Sequence, residues 1–328
     1  MIYNMQVVLL LLVTVVTCYA QTDSDRESFV LNGVKVVHSK GVSILSYTLA
    51  DMLLTVPAED ELPGYTLVIR ERREKDKGIL PGTEPAGHTL VWLGKEAWIS
   101  RCWIPIPNAQ AYWSGQIPDY VRLRARGSAD VEVRISDTNL EYTYAAFSKM
   151  SSVIFQRGTP SATPLGDEAW YNLNPDRKGG VVYFRAGNCL VRVGAPDYYL
   201  AEALAQGILY RLLVHPKGVV KPMPVLQLLV DGKPLSSPLI ASLNGVVVVP
   251  VSLLQPFGVD TQTNRTSEVW TVPLRRGSRW VQVQAFGWEA QTPSGKVKLE
   301  RAVFPFEGQL VVPLRQVAEA LGLSVQAQ

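Results

Sequence analysis

Histidine and cysteine are both scarce in this chain. Its 328 residues include three of each. The histidines, His38, His88 and His215, lie far apart and show none of the spacings that metal-binding motifs require. The sequence therefore argues against a histidine-based metal site, and we predict that the chain uses no cofactor.

Motifs for nucleophilic and phosphate chemistry are also missing. The sequence contains no G-x-S-x-G, no H-E-x-x-H and no glycine-rich phosphate loop. Asp167 and Glu168 are adjacent carboxylates, but neighbours on an extended chain point to opposite sides. We interpret them as solvated loop charges, and we predict no catalytic residue and no enzymatic activity.

No apolar run reaches the length of about 18 residues that a membrane-spanning helix needs. The run Val7–Thr17 instead has the length of a signal-peptide core, although no Lys or Arg precedes it. Small residues follow at Cys18 and Ala20, and the chain then becomes polar. These features predict a signal peptide over 1–20 and export. In the alternative, Cys18 is the lipidated residue of a lipoprotein.

The predicted mature chain carries little net charge. Cleavage removes no charged residue, so the formal net charge stays at +3. A balance this small does not indicate a nucleic-acid partner. Cleavage also removes Cys18 and leaves Cys102 and Cys189, which can pair in an oxidising compartment. The alternative is two separate buried thiols.

Prolines divide the mature chain into two parts. The segment 215–224 contains three prolines, which disfavour both helix and central strand, and we interpret it as a linker. It separates a first part, 24–214, from a second part, 225–328. Short strands and helices alternate without βαβ regularity in both parts. This pattern predicts two α+β domains with mainly antiparallel sheets.

In the first part, turn residues separate the apolar stretches. Gly94 predicts a turn, the four residues 127–130 predict a hairpin, and 71–78 reads as a charged loop. Strands are predicted at 35–38, 65–70, 89–93, 97–104, 121–126, 131–135, 181–185 and 189–193. Helices are predicted at 49–54, at 140–150 and, after the N-cap residue Asp197, through Leu213 with apolar residues every four positions.

The second part contains a degenerate internal repeat. In each copy a turn bearing glycine leads into a strand that ends at Val-Pro, and a short helix then ends at glycine. Proline suits the start of a helix, and glycine suits the left-handed position just past its end. The copies contain Asn244-Gly245, Val249-Pro250 and Gly258, and then Glu307-Gly308, Val312-Pro313 and Gly322. Pro256 shortens the first helix. We expect Leu253, Leu254, Val317 and Leu321 to face one common sheet.

Two stretches of the second part carry a family resemblance. Asp231-Gly232-Lys233 matches an "nGk" turn, and the run from Val312 to Gly322 matches "lVPlR…aealG". On these residues, about 228–327 resembles the copper amine oxidase N-terminal domain that occurs in bacterial secreted and cell-wall proteins. The resemblance implies an α+β extracellular module without its own catalysis, and it does not imply copper. The first part resembles only uncharacterised exported bacterial proteins, at 166–170 and 184–188.

Arg315 stands at the start of the second helix of the repeat. The dipole of a helix disfavours a cation at that end. We therefore predict that a carboxylate or backbone carbonyls hold its guanidinium. The corresponding residue of the first copy is Ser252.

A row of arginines is one candidate binding surface. Arg122, Arg124 and Arg126 fall on one face of a predicted strand, because side chains alternate along it. Guanidinium groups in a row can contact phosphate or carboxylate polymers. The alternative is the solvent face of an ordinary antiparallel strand.

A run of tryptophans is the other candidate surface. Exposed aromatic rings can stack on sugar rings, whereas buried ones simply fill a core. The residues of this run are Trp92, Trp98, Trp103 and Trp113.

Together these features predict a non-enzymatic, exported protein that binds or supports the cell envelope. Its expected partner is an envelope polymer or another exported protein. It is not expected to span the membrane after cleavage. Two alternatives stay open. One is an exported hydrolase-like enzyme with an accessory C-terminal module, and the other is a regulatory or inhibitory partner of another exported protein.

Overall fold

The computed structural model describes ten stretches of the chain. They are residues 26–31, 34–39, 55–79, 91–107, 127–136, 165–166, 168–174, 179–186, 189–214 and 228–327. The predicted signal peptide, the proline-rich linker and the predicted helix 140–150 lie outside the described residues. So does 49–54, the other short predicted helix.

The described residues of the first part form a two-stranded ribbon and a six-stranded antiparallel sheet. The strands are β1 (Arg26–Leu31), β2 (Val34–Ser39), β3 (Tyr65–Ile79), β4 (Val91–Pro105), β5 (Ala129–Ser136), β6 (Glu168–Asn174), β7 (Gly179–Ala186) and β8 (Cys189–Ala195). The ribbon is β1-β2, and the sheet has the order β3-β4-β5-β8-β7-β6. The hairpin of β7 and β8 closes at the pair Ala186 and Cys189, as predicted.

Three local predictions in this sheet are wrong. The strand β3 continues through the predicted loop 71–78, because an edge strand tolerates charged residues. The strand β4 passes Gly94 without turning, since β3 pairs with it on both sides of that residue. The strands β4 and β8 pair with the two edges of β5, so the predicted hairpin around 127–130 is wrong. Residues 121–126 themselves lie outside the described part.

A long helix, α1 (Tyr198–Val214), follows the sheet. The carboxylate of Asp197 accepts a hydrogen bond from the backbone N–H of Leu200 at 2.9 Å, so the predicted N-cap is confirmed. The helix is buried on nearly all sides rather than along one stripe. It packs against β7 and β8 and also against strands of the C-terminal part.

We call residues 228–327 the C-terminal module. Its strands are β9 (Leu228–Val230), β10 (Lys233–Leu235), β11 (Ala241–Leu243), β12 (Val246–Pro250), β13 (Asp260–Thr261), β14 (Asn264–Arg265), β15 (Trp270–Arg276), β16 (Arg279–Gln284), β17 (Glu289–Thr292), β18 (Gly295–Lys298), β19 (Phe304–Phe306), β20 (Gln309–Pro313) and β21 (Val325–Ala327). A 3₁₀ helix (Val251–Phe257) follows β12, and α2 (Leu314–Ala320) follows β20. The described fold is α+β with mainly antiparallel sheets.

The two copies of the predicted repeat are related by a pseudo-two-fold axis in the sheet β11-β12-β20-β19. Pro250 pairs with Val311 and Pro313 pairs with Val248, so exchanging the two copies preserves the register. Both hairpin turns have two successive residues with positive φ, as type I′ turns require. Gly258 and Gly322 also have positive φ just past their helices. The pattern of turn, Val-Pro strand, helix and glycine is therefore confirmed.

This four-stranded sheet is buried on both faces. Val248 and Val311 face a cluster that includes α1 and the sheet of the first part. Val249 and Val312 face a second cluster, which lies inside the module. Alternate residues of one strand thus enter two different cores, which explains the unbroken valine runs in the sequence. The module and the first part share a hydrophobic cluster, and the predicted division into two domains stays a prediction.

The second cluster contains the predicted helix contacts. Leu254, Val317 and Leu321 are buried in it, and Leu253 packs against it half-buried. Between the two copies lies a further sheet, β13-β15-β16-β17-β18, with β14 beside β15. The sequence had not indicated this inserted sheet.

None of the helices in the described part of the chain is long and apolar enough to cross a membrane.

Candidate functional site

The structure does not support the predicted tryptophan surface at the one position where it describes the side chain. Trp103 is 0% exposed, and its indole N–H donates to the carbonyl of Glu59 at 3.3 Å. A ring buried in this way cannot stack on a sugar, so of the two interpretations of the tryptophan run the core position holds for Trp103. Trp92 and Trp98 lie in β4, of which only the backbone is described there, and Trp113 lies outside the described residues.

The predicted arginine row is not tested. Arg122, Arg124 and Arg126 lie outside the described residues, and they stay a prediction.

The predicted disulfide is contradicted. Cys102 and Cys189 are both buried, and no disulfide joins them. In the register of the sheet, Cys102 lies opposite Asp130 and Asp130 lies opposite Gly194. Gly194 is five residues, or about 17 Å, along β8 from Cys189. A disulfide requires Cα atoms within about 7 Å, so this fold keeps the two thiols apart.

The inserted sheet presents one face to solvent. Trp270, Val272 and Leu274 of β15 point into the core, as do Val281 and Val283 of β16. The alternate residues therefore point outward. The outward residues, which we call the outer face, are Thr271, Pro273, Arg275, Trp280, Gln282, Gln284, Glu289, Gln291, Lys296 and Lys298.

The outer face combines an exposed indole with unengaged amides. Trp280 is 37% exposed and lies opposite Arg275. Gln282 lies opposite both Pro273 on one side and Gln291 on the other. Within the described part of the chain, no side-chain hydrogen bond engages the amides of Gln282, Gln284 and Gln291. Such a face offers donors, acceptors and a stacking surface to a ligand.

A group of aromatic rings lies where α1 meets the segment between β16 and β17. Tyr199 is 63% exposed, and its ring meets Trp288 edge-on at a centroid distance of 6.0 Å. The indole N–H of Trp288 donates to the carbonyl of Tyr199 at 3.1 Å. Tyr198 contacts Tyr199 at 5.7 Å. Trp288 lies between β16 and β17, four residues after Gln284 in the chain.

A buried ion pair holds the module to the first part. One guanidinium N–H group of Arg211 donates to Glu61 at 2.5 Å, and also to the carbonyl of Pro305 at 3.0 Å. The other oxygen of Glu61 accepts the backbone N–H of Glu307 at 2.9 Å. Burial lowers the pKa of Arg211, and the adjacent Glu61 opposes that shift. The Arg211 guanidinium and the Glu61 carboxylate are buried and are engaged by each other and by backbone groups. We therefore interpret this cluster as positioning α1 rather than as a binding site.

Neighbouring residues extend that junction. The hydroxyl of Tyr210 donates to the carbonyl of Leu239 at 2.7 Å, and burial raises its pKa above the ordinary value. The Tyr210 ring packs against Phe304 and Phe306 at centroid distances of 5.4 and 5.0 Å. The side chain of Gln206 accepts the backbone N–H of Ala302 at 2.9 Å. The outer face is thus carried by a module fixed at several points.

Arg315 does not have the partner that the sequence led us to expect. Its side chain is exposed, and it forms no hydrogen bond or ion pair with any residue that the structure describes. The helix α2 has no side-chain cap at Pro313 either.

A comparison with protein families now identifies the module. Residues 229–328 match the family model of the copper amine oxidase N-terminal domain. The resemblance seen in the sequence is therefore shown for this part of the chain. No curated protein and no solved structure matches the chain. The match covers less than a third of the 328 residues.

The C-terminal module, which matches this family model, does not fit a copper ion. Copper prefers imidazole and sulfur ligands, and residues 229–328 contain no histidine, cysteine or methionine. In the described stretches as a whole, no group of three or more His, Cys, Asp and Glu side chains converges. Of the three histidines, only His38 has a described backbone, in β2.

The sequence reasoning missed the outer face, although a signal was present. The run Arg279-Trp280-Val281-Gln282-Val283-Gln284 alternates polar or aromatic residues with valine, as a strand exposed on one face does. The predicted aromatic surface instead consisted of the four clustered tryptophans of the first part.

Proposed function

We propose that this protein is a non-enzymatic, exported component of the cell envelope that binds an envelope polysaccharide through the outer face of its C-terminal module. One observation supports this function most: Trp280 and three unengaged glutamine amides lie on a single exposed sheet face.

The chemistry of the outer face suits a sugar chain. An indole stacks on the apolar side of a sugar ring, and carboxamides donate and accept hydrogen bonds with hydroxyl groups. Trp280 and Gln284 are four residues apart on β16, or about 13 Å. The face is therefore long enough to contact several consecutive sugar units.

The charge of the face suits a polymer with few charges. Lys296 and Glu289 form an ion pair at 3.0 Å, so part of the charge is internally neutralised. A polyanion such as nucleic acid needs a wide surface of one sign instead. Arg275 and Lys298 keep a modest positive charge on the face, so a weakly acidic polysaccharide is the better match.

Binding is tested with purified envelope polysaccharide freed of protein, by sedimentation of the bound chain and by calorimetry. We expect saturable binding that Trp280→Ala weakens by about tenfold, since an aromatic stack contributes roughly 1.4 kcal/mol. Gln282→Ala should weaken it less. Gln326→Ala, the same change on an exposed strand residue outside the face, is the control. Unchanged binding by Trp280→Ala would refute this role of the outer face.

The same samples test the absence of enzymatic activity. We expect the polysaccharide to keep its chain length after prolonged incubation with the protein. Shortened chains would contradict the proposal and would favour the hydrolase-like alternative.

Export is part of the proposal, and the short apolar run before Ala20 supports it. N-terminal sequencing of the protein recovered from outside the cytoplasm should begin at Gln21. A cytosolic protein that keeps Met1 would contradict export.

A further inference from the structure

A second open feature of the module is a cleft beside α2. It has a volume of about 100 Å³ and lies among the start of β12, the first residues of α2 and the strand β21. Leu228, Val246, Leu314 and Val325 form its apolar walls. Two ionisable residues, Arg315 and Glu300, also line it. We call it the Arg315 cleft.

The two charges of the Arg315 cleft have no partner within the described part of the chain. Arg315 and Glu300 are both exposed, and they form no ion pair with each other or with other described residues. The cleft therefore presents one cation and one anion side by side, separated by more than a salt-bridge distance.

Two hydrogen bonds of Gln316 connect the segment that carries Glu300 to the helix that carries Arg315. The side-chain oxygen of Gln316 accepts the backbone N–H of Glu300 at 2.7 Å. Its amide nitrogen donates to the carbonyl of Lys298 at 3.0 Å. Because Gln316 follows Arg315 on α2, the segment that carries Glu300 is tied to the helix that carries Arg315. The fold thus sets the backbone positions from which the two charged side chains extend.

The strand β12 adds a peptide-like edge to the cleft. Its residue Val246 closes the hairpin by pairing with Leu243, so the N–H and C=O of Val247 point away from β11. On that side β20 pairs with β12 only from Val248 onward. Because Pro313 has no N–H, the pairing of Val248 with Pro313 rests on a hydrogen bond from the N–H of Leu314 to the carbonyl of Val247, and only the N–H of Val247 is left to face the cleft.

The other copy of the repeat lacks such a site. At the position equivalent to Arg315, the hydroxyl of Ser252 bonds the side chain of Gln309 at 2.6 Å. Gln309 in turn is the equivalent of Val246. One copy thus closes its position with an internal hydrogen bond, whereas the other leaves it open and charged.

We infer that the Arg315 cleft binds the carboxyl-terminal end of a peptide that carries a basic side chain near that end. Arg315 takes the terminal carboxylate in a bidentate contact. Glu300 takes the basic group, the N–H of Val247 donates to a backbone carbonyl of the peptide, and the apolar walls contact the last side chain. An isolated phosphate would match only Arg315 and would be repelled by Glu300. This inference is independent of polysaccharide binding, because the Arg315 cleft and the outer face share no residue.

The probe is the tripeptide acetyl-Lys-Ala-Ala with a free carboxylate, titrated into the full chain by calorimetry or NMR. We expect its C-terminal amide to bind at least about tenfold more weakly, because amidation removes the partner of Arg315. Arg315→Ala should weaken the acid peptide by a similar factor. Lys233→Ala removes one positive charge from an exposed position of the module outside both the cleft and the outer face, and it should leave the affinity unchanged.

The role of Glu300 has its own comparison. The wild-type chain should prefer the lysine peptide over its norleucine analogue, and Glu300→Gln should abolish that preference. The inference is overturned if acid and amide bind equally, if Arg315→Ala binds like the wild type, or if nothing binds up to about 10 mM. Equal competition by inorganic phosphate would show a general anion site and would overturn it as well. Polysaccharide binding by the Arg315→Ala chain shows separately whether the outer face still works.

Discussion

The two copies of the repeat in the C-terminal module have the same frame and different surroundings. Each consists of a type I′ hairpin, a strand that ends at Val-Pro, and a short helix that ends before a glycine. In the first copy the helix is a 3₁₀ helix with Pro256 inside it, and in the second it is α2. Proline lacks the N–H that an α-helical turn would use, which accounts for the difference.

The copies also differ in what they contact. The turn of the second copy is held by the buried carboxylate of Glu61 through the N–H of Glu307. The turn of the first copy is held by the exposed amide of Asn244, which donates to the carbonyl of Gly166 at 3.3 Å. Backbone geometry is thus preserved by glycine and proline, whereas the side chains between them are free to differ. That freedom places the unpaired Arg315 in one copy only.

The largest expected difference between the copies concerns their turn contacts. Glu61→Ala leaves Arg211 buried without its carboxylate, so we expect unfolding to become easier by about 3–5 kcal/mol. Asn244→Gly removes an exposed hydrogen bond and keeps the positive φ, so it should cost about 1 kcal/mol or less. Denaturant unfolding of both variants measures this contrast. Equal losses would contradict the distinct roles of the two turns.

The helices of the two copies should contribute comparably. Leu254 and Leu321 are both fully buried in the same cluster. We expect Leu254→Ala and Leu321→Ala each to cost about 2–5 kcal/mol. Thermal and chemical unfolding provide the check. A loss below about 1 kcal/mol for either variant would show that its helix does not share the core.

The turn at Asp231-Gly232, outside the repeat, should make the chain less stable at acid pH. Asp231 has positive φ and accepts the backbone N–H of Ser324 at 2.8 Å. That hydrogen bond lowers the pKa of Asp231 below 3.8, with Arg276 as a lesser cause. The lowered pKa adds stability that is complete well above pH 3.8 and is lost as the pH falls through the folded-state value.

Stability measured against pH tests this turn. Asp231→Asn should flatten the acid limb of the curve, while Asp260→Asn, at an exposed strand residue of the same module, should leave it unchanged. An unaltered acid limb in Asp231→Asn would show that the turn does not contribute to acid sensitivity.

The smallest expected effect sharpens the comparison of the two hairpin turns. Glu307 has φ of 47° in a position where Asn is favoured, and the first copy has Asn244 there with φ of 49°. Glu307→Asn should therefore stabilise the chain by about 0.5 kcal/mol. Replicate unfolding curves can resolve this gain. A clear loss would show that the Glu307 side chain contributes more than the backbone strain costs.

The sequence was most informative where local chemistry alone determines structure. Gly258, Gly322 and the glycines of the Xaa-Gly turns have positive φ, which few other residues adopt easily. The repeat could therefore be predicted from these glycines. The N-cap of α1 at Asp197 is of the same kind. These signals act within a few residues and need no knowledge of the fold.

Predictions failed where long-range packing decides. Gly94 lies in a continuous strand because β3 pairs along it, and Cys102 and Cys189 are separated by the order of strands in the sheet. The helix α1 is buried on nearly all sides because the module packs on it, which its four-residue repeat could not indicate. Composition and spacing do not encode which strand lies next to which.

The central claim is that the outer face of the C-terminal module binds the envelope polymer, and oxidative footprinting by mass spectrometry tests it most directly. Purified chain is oxidised with and without saturating envelope polysaccharide, and the modification of each aromatic residue is quantified. Trp103 and Trp270 are buried and should stay unmodified in both samples. We expect Trp280 to be oxidised in the free chain and protected in the complex. Oxidation of Trp280 that is unchanged while the polymer is bound would contradict the account.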